Sequence, residues 1–140
     1  MVLKSLSCQN GTTMRTIKIY CKECEKELTH ELTETNIFWT NGLEFMLDNQ
    51  FSILLKENEN TKSVIVPIAN YYLKDHSDKS RFQGCCGSSG LDGLNKLCLN
   101  GHEVATEFSD CWTDEYIEFD NNKVIIKEKD TDNNFKKWDL

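Results

Sequence analysis

The stretch YIEFDNNKVIIK, Tyr116 to Lys127, alternates apolar and polar side chains on both sides of Asn121-Asn122. A two-residue turn there sets Phe119 against Val124, Ile117 against Ile126 and Asp120 against Lys123. Apolar then meets apolar and opposite charges flank the turn, as an antiparallel hairpin requires. The same register test sets Phe38 against Phe45 about Asn41-Gly42, and Leu97 against Val104 about Asn100-Gly101. Asn-Gly is the pair that best tolerates the positive φ angles of a tight hairpin turn.

MRTIKIYCKECEKELTHEL fits a further hairpin with its tip at Cys21 to Cys24, Ile17 facing Leu28 and Lys18 facing Glu27. A helix from Glu25 to Thr35 is the alternative, because Leu28 and Leu32 also suit a spacing of four. EFMLDNQFSILLK continues the meander through an Asp48-Asn49 turn. SVIVPIANYYLK is a β-branched run that Pro67, the single proline, confines to a sheet edge or a strand end. Room for a short helix is left at Ile68 to Asp75 and at the C-terminus. The expected fold is mainly β (or α+β), an antiparallel meander of hairpins over residues 1–140 as a single domain. At most one or two short helices are expected, and the hairpin tips could be zinc-ribbon-like.

A chain of 140 residues is long enough for one core, and 39% hydrophobic with 28% charged residues suits a globular protein. No run approaches the roughly 20 apolar residues of a membrane span, and MVLKSLSCQN lacks the apolar stretch of a signal peptide. The expected address is the cytoplasm, and without a secretion signal the Asn10-Gly11-Thr12 sequon carries no weight. Thiols stay reduced there, so seven cysteines read as metal ligands, a nucleophile or small buried side chains before a disulfide framework.

Cys21 and Cys24 form a C-x2-C pair at an expected hairpin tip, where both sulfurs can point at one ion. Cys98 flanks the Asn100-Gly101 turn and supplies a second tip. For the fourth zinc ligand the glycines around Cys86 favour that residue, with His102 or Cys85 as the alternative. Adjacent Cys85 and Cys86 project differently, so both do not serve one ion. Cys8 and Cys111 are expected to be free or buried.

Other chemistries are weaker. A catalytic thiol at Cys85 or Cys86 needs a base from His30, His76 or His102, oriented by Asp75 or Asp92, and no local signature joins them. GCCGSSGLDG places a glycine at every third position from Gly84 to Gly93. It has neither the Lys-Ser/Thr nor the strand-loop-helix frame of a phosphate cradle. DTDNNF at Asp130 begins like a calcium loop but has Phe135 where glycine is needed.

Between Lys96 and Lys123 there is no Lys or Arg, and the net charge is −7, which argues against nucleic acid. That window mixes carboxylates with aromatic rings. Glu107, Asp110, Trp112, Asp114, Glu115, Tyr116 and Glu118 are the expected contacts for a basic protein partner.

GCCGSSGLDGLNKLC followed by GHEVATEFSDCW resembles a family of small uncharacterised bacterial proteins, over about the second half of the chain. Relatives carry a cysteine shortly after the position of Cys98, where this chain has Asn100. The resemblance implies a bacterial origin and no activity. The residues lead first to a non-enzymatic protein-binding domain, in its most concrete form an immunity-type inhibitor of a basic bacterial toxin such as a nuclease. A structural zinc-binding accessory domain comes second and a cysteine-dependent enzyme third.

Overall fold

The structure is a computed structural model, and it describes residues 15–35, 46–56, 58–111 and 114–140. Ten strands lie among them: β1 Thr16–Cys21, β2 Leu32–Glu34, β3 Gln50–Lys56, β4 Thr61–Val66, β5 Leu73–Asp75, β6 Lys96–Cys98, β7 Glu103–Phe108, β8 Tyr116–Phe119, β9 Val124–Lys129 and β10 Phe135–Lys137. They form a single curled sheet in the order β10-β9-β1-β2-β3-β4-β8-β7-β6-β5. The fold is mainly β. It is a mixed sheet, because β2 and β3 run parallel (Thr33 opposite Gln50) while every other pair is antiparallel. The segment around Asn41-Gly42, with Phe38 and Phe45, lies outside the described residues.

Alternation decides which side chains face inward. In β1 Ile17, Ile19 and Cys21 are buried while Thr16, Lys18 and Tyr20 are not, the period-two signature of a strand with one wet face. These residues join Phe51, Val64, Val66, Cys98, Val104, Ile117, Phe119, Val124 and Ile126 in one core. β4 ends at Val66, directly before Pro67, which has no N–H to continue the ladder. The segment Ile68 to Asp75 and the C-terminus hold β5 and β10 rather than helices. Among the described residues the helical element is a 3-10 turn at Lys79–Phe82, capped by the Asp78 carboxylate on the Ser80 N–H.

The Asn121-Asn122 turn forms, closed by the Lys123 N–H on the Asp120 carbonyl at 2.9 Å, but it does not make a hairpin. β8 lies between β4 and β7, while β9 lies between β1 and β10. The turn carries the chain from one wall of the curled sheet to the other. Asp120 N–H is taken by the Val104 carbonyl, and the Lys123 carbonyl by the Lys22 N–H. Ile117, Phe119, Val124 and Ile126 are buried as their alternation demands, yet they meet in the core across the curl instead of along a shared ladder.

The first hairpin also forms with a shifted register. Tyr20 lies opposite Glu27, and Leu28 N–H bonds the Ile19 carbonyl at 2.7 Å. At β2 the shift has grown from two residues to four, and Ile17 meets Leu32 rather than Leu28. A slip of an even number of residues leaves every face unchanged, which is why the apolar pattern could not distinguish the registers. Lys18 still reaches Glu27, at 3.2 Å, as a diagonal pair. No helix forms over Glu25 to Thr35.

Phe119 is fully buried where the two walls meet. Truncating it to alanine is expected to cost about 3–5 kcal/mol. Denaturant unfolding should show a lower midpoint with an unchanged slope.

Candidate metal centre

Two loop tips converge. The first follows β1. Cys21 N–H bonds the Lys26 carbonyl at 2.9 Å, Glu25 N–H bonds the Cys21 carbonyl at 2.8 Å, and Glu25 takes the left-handed backbone conformation at φ 61°. The second joins β6 to β7. Cys98 N–H bonds the His102 carbonyl at 2.8 Å, closing a three-residue loop of Leu99, Asn100 and Gly101 with Gly101 at φ 93°. The loop is one residue longer than the two-residue turn read from the sequence. Leu97 therefore faces Glu103 instead of Val104, and a bulge restores Lys96 opposite Ala105. This longer loop sets Cys98 and His102 directly across from each other, on one face.

The sulfurs of Cys21, Cys24 and Cys98 and a ring nitrogen of His102 all lie within 4.8 Å of one another. Cys24 Sγ is 3.9 Å from Cys98 Sγ, and His102 Nδ1 is 3.3 Å from Cys98 Sγ and 3.7 Å from Cys21 Sγ. A tetrahedral zinc ion with bonds of about 2.3 Å to sulfur and about 2.05 Å to nitrogen needs sulfur–sulfur edges of about 3.8 Å and sulfur–nitrogen edges of about 3.6 Å. Three of the six edges, at 3.3 to 3.9 Å, lie near those values, and the other three are within 4.8 Å.

Backbone amides are aimed at the sulfurs, as thiolate ligands require. Glu23 and Cys24 donate to Cys21, Lys26 donates to Cys24, and His102 N–H reaches Cys98 Sγ at 3.3 Å. Protons are held unequally within the group. The Lys26 N–H bond, aided by neighbours including Asn100 and His102, holds the Cys24 thiol down to about 6. Burial pushes Cys21 up, and hydrogen bonds with Cys24 and Cys98 pull His102 up. Cys21 and Cys98 are buried, whereas Cys24 and His102 are half-buried at the rim.

Cys86 is elsewhere, which corrects its choice over His102 as the fourth ligand. It is joined to Cys111 in a disulfide with the Cα atoms 5.6 Å apart, and Cys85 is beside them with all three exposed. Cys111, expected free or buried, is neither. No histidine belongs to this trio. His76 pairs with Glu103 at 3.0 Å, His30 stacks on Tyr71, and His102 sits in the quartet. Asp75 and Asp92, the expected orienting groups, bind Lys96 and the Gln83 N–H. The catalytic constellation is not assembled among the described residues.

The glycine loop is held tightly. The Asp110 carboxylate accepts from the amides of Cys85, Cys86 and Cys111 at 3.2, 3.0 and 2.7 Å. Ser88 carbonyl accepts from Ser109 and Asp110, while Ser88 N–H bonds Ser109 Oγ at 3.0 Å. Fully buried Asn95 bonds the Arg81 carbonyl, Ser88 Oγ and the Glu107 N–H. A Cβ at Gly90, with φ 79°, would run into the Phe108 ring.

The acidic stretch is correspondingly committed within the chain. Asp110 caps the loop, Glu107 meets Lys96 at 3.1 Å and Glu118 meets Lys56 at 2.6 Å. Tyr116 stacks on Phe108 at 4.7 Å, and burial pushes its hydroxyl up to about 12. Asp114 and Glu115 are exposed, and Trp112 lies outside the described residues. The pattern of an acidic surface, read from a gap in Lys and Arg along the chain, missed cations supplied by distant strands. The loop-capping role of Asp110 had no local signal either, because its partners are amides about 25 positions away.

Family models, curated proteins and solved structures contain no match to this chain. Among the described residues no helix is long and apolar enough to cross a membrane.

Hydrogen bonding to the Cys86 amide, reinforced by those of Cys85 and Cys111, holds the Asp110 carboxyl below the usual carboxylate range against the opposing effect of burial. Its contribution is therefore present above the unfolded-state value of about 3.9 and is lost as pH falls through the lower folded-state value. Asp110→Asn should lower the melting temperature at pH 6. It should also flatten the decline that thermal melts of the unaltered protein show between about pH 4 and pH 2.

Proposed function

We propose that this chain is a structural zinc-binding β domain in which Cys21, Cys24, Cys98 and His102 enclose one ion and clamp two loop tips together. The observation that carries this reading is a set of three sulfurs and one imidazole nitrogen within 4.8 Å of one another, drawn from segments 74 to 81 positions apart. Four protein ligands leave no open coordination position, which suits a structural rather than a catalytic ion. Soft thiolates with one imidazole favour zinc over magnesium or calcium, which take oxygen ligands. A protein-binding role as an immunity-type inhibitor is the weaker reading, since Asp114 and Glu115 are the acidic contacts left exposed by the internal pairing.

Elemental analysis should find one zinc per chain. Cys24→Ser and His102→Ala should lose it, while Cys86→Ser and Cys111→Ser keep it. Removing zinc with a chelator should lower stability by about 2.7 kcal/mol relative to protein in free zinc at 100 times its dissociation constant. Cys24 is the more informative cysteine to change, because it is half-buried and its loss leaves the core packing of Cys21 and Cys98 in place. Native protein refolded in excess zinc that retains none would overturn the proposal.

A further inference from the structure

The trio of Cys85, Cys86 and Cys111 has a different character from the quartet. Its sulfurs lie within 4.8 Å of one another, all three residues are exposed, and it includes no nitrogen ligand. Two of the sulfurs are bonded to each other and the third, that of Cys85, is a free thiol. A free thiol beside an accessible disulfide is the arrangement that thiol–disulfide exchange needs.

The segments that carry these cysteines are held in place without the sulfur–sulfur bond. Asp110 gathers the amides of all three cysteines. Ser88 and Ser109 bind each other on the same side, and Ser89 N–H bonds the Gln83 carbonyl at 3.0 Å. Gly84 and Gly87 let the loop lie against the neighbouring segment: a Cβ on Gly87 would meet the Ser109 carbonyl at 2.5 Å, and one on Gly84 would meet Asp110 Oδ2 at 2.8 Å. Opening the disulfide therefore leaves the three sulfurs close together and able to close again.

We propose that Cys85, Cys86 and Cys111 form a reversible thiol–disulfide exchange site for a low-molecular-weight thiol, in which Cys85 and Cys86 compete for Cys111. In the internal step Cys85 gives its proton to solvent and its sulfur attacks Cys111 Sγ. The Cys85–Cys111 bond forms as the Cys86–Cys111 bond breaks, and Cys86 leaves as a thiolate that takes up a proton. No electrons are gained or lost. In the external step one thiol molecule attacks the disulfide, giving a mixed disulfide and one protein thiol. A second molecule attacks the mixed disulfide, releasing the other protein thiol and the oxidised disulfide of the small molecule, so two electrons pass to the protein.

Equilibration in buffers of graded glutathione to glutathione disulfide ratio, followed by acid quenching, alkylation and peptide mapping, tests this. The expected result is a gain of two alkylated thiols per chain on reduction and their loss on reoxidation. The β-sheet circular dichroism and the zinc content should stay constant. In the oxidised protein the label should divide between Cys85 and Cys86 and spare Cys111. Cys86→Ser, judged only if its circular dichroism is native, should still form a disulfide, now between Cys85 and Cys111. Label confined to Cys85 in the oxidised native protein overturns the competition, a conclusion that does not depend on any variant folding. Loss of sheet signal on reduction overturns reversibility and makes the bond a staple. Zinc content is read separately, so neither result bears on the clamp at Cys21.

Discussion

The contact between the Cys21–Cys24 tip and the Cys98–His102 tip is the constraint on which the closed form of this sheet depends. In the sheet order, five strands stand between β1 and β6. A twisted sheet of that many strands has to curl strongly for positions so far apart to touch. The curl is what allows Ile17 and Ile19 from one wall to share a core with Val104 and Cys98 from the other. Where the walls approach, a backbone bond from Tyr72 N–H to the Leu28 carbonyl at 3.0 Å runs across the same seam. One hydrogen bond contributes about 1 kcal/mol net. A crosslink closing a loop of 74 residues restricts the unfolded chain by roughly 4–5 kcal/mol in the chain-entropy model. A filled quartet would therefore outweigh the backbone bond in holding the seam shut.

Charge is arranged by the same geometry. Glu103 looks uncompensated along the chain, but Arg81 and His76 both reach it at 3.0 Å. Lys96 sits between Asp75 and Glu107; burial lowers its pKa, but these two carboxylates outweigh burial and the net shift is upward. The half-buried ammonium is thus held charged on β6, the strand that ends at Cys98. A sheet places residues from separate strands side by side, so a count of charges along the chain overstates how much acid remains for a partner.

What was legible in the sequence follows from which physical signals are local. Strand faces are local, since burial of alternate residues in β1, β8 and β9 needs only the period-two pattern. Strand neighbours are not local. The apolar residues of YIEFDNNKVIIK satisfied a hairpin and a corner equally well, because both bury Ile117, Phe119, Val124 and Ile126. The Cys21 and Cys24 pair was visible for its spacing and Cys98 for its place beside a turn. The choice between Cys86 and His102 depended on which loop the curl brings to the seam, and that is a property of all ten strands together.

His102 enters the quartet through one residue of loop length. With a two-residue turn at Asn100-Gly101, His102 would stand opposite Leu99 and Cys98 opposite Glu103, and the two ligands would not share a cross-strand pair. The three-residue loop instead joins Cys98 N–H to the His102 carbonyl, and the bulge at Lys96 and Leu97 returns β6 and β7 to register before the core begins. Gly101 makes that loop possible by its backbone alone. A Cβ there would meet nothing within 4 Å, so space does not select glycine, whereas φ 93° does. The pairing of His102 with Cys98 is thus specified by a backbone conformation at a position outside the quartet, which is why residue spacing alone could not single out His102.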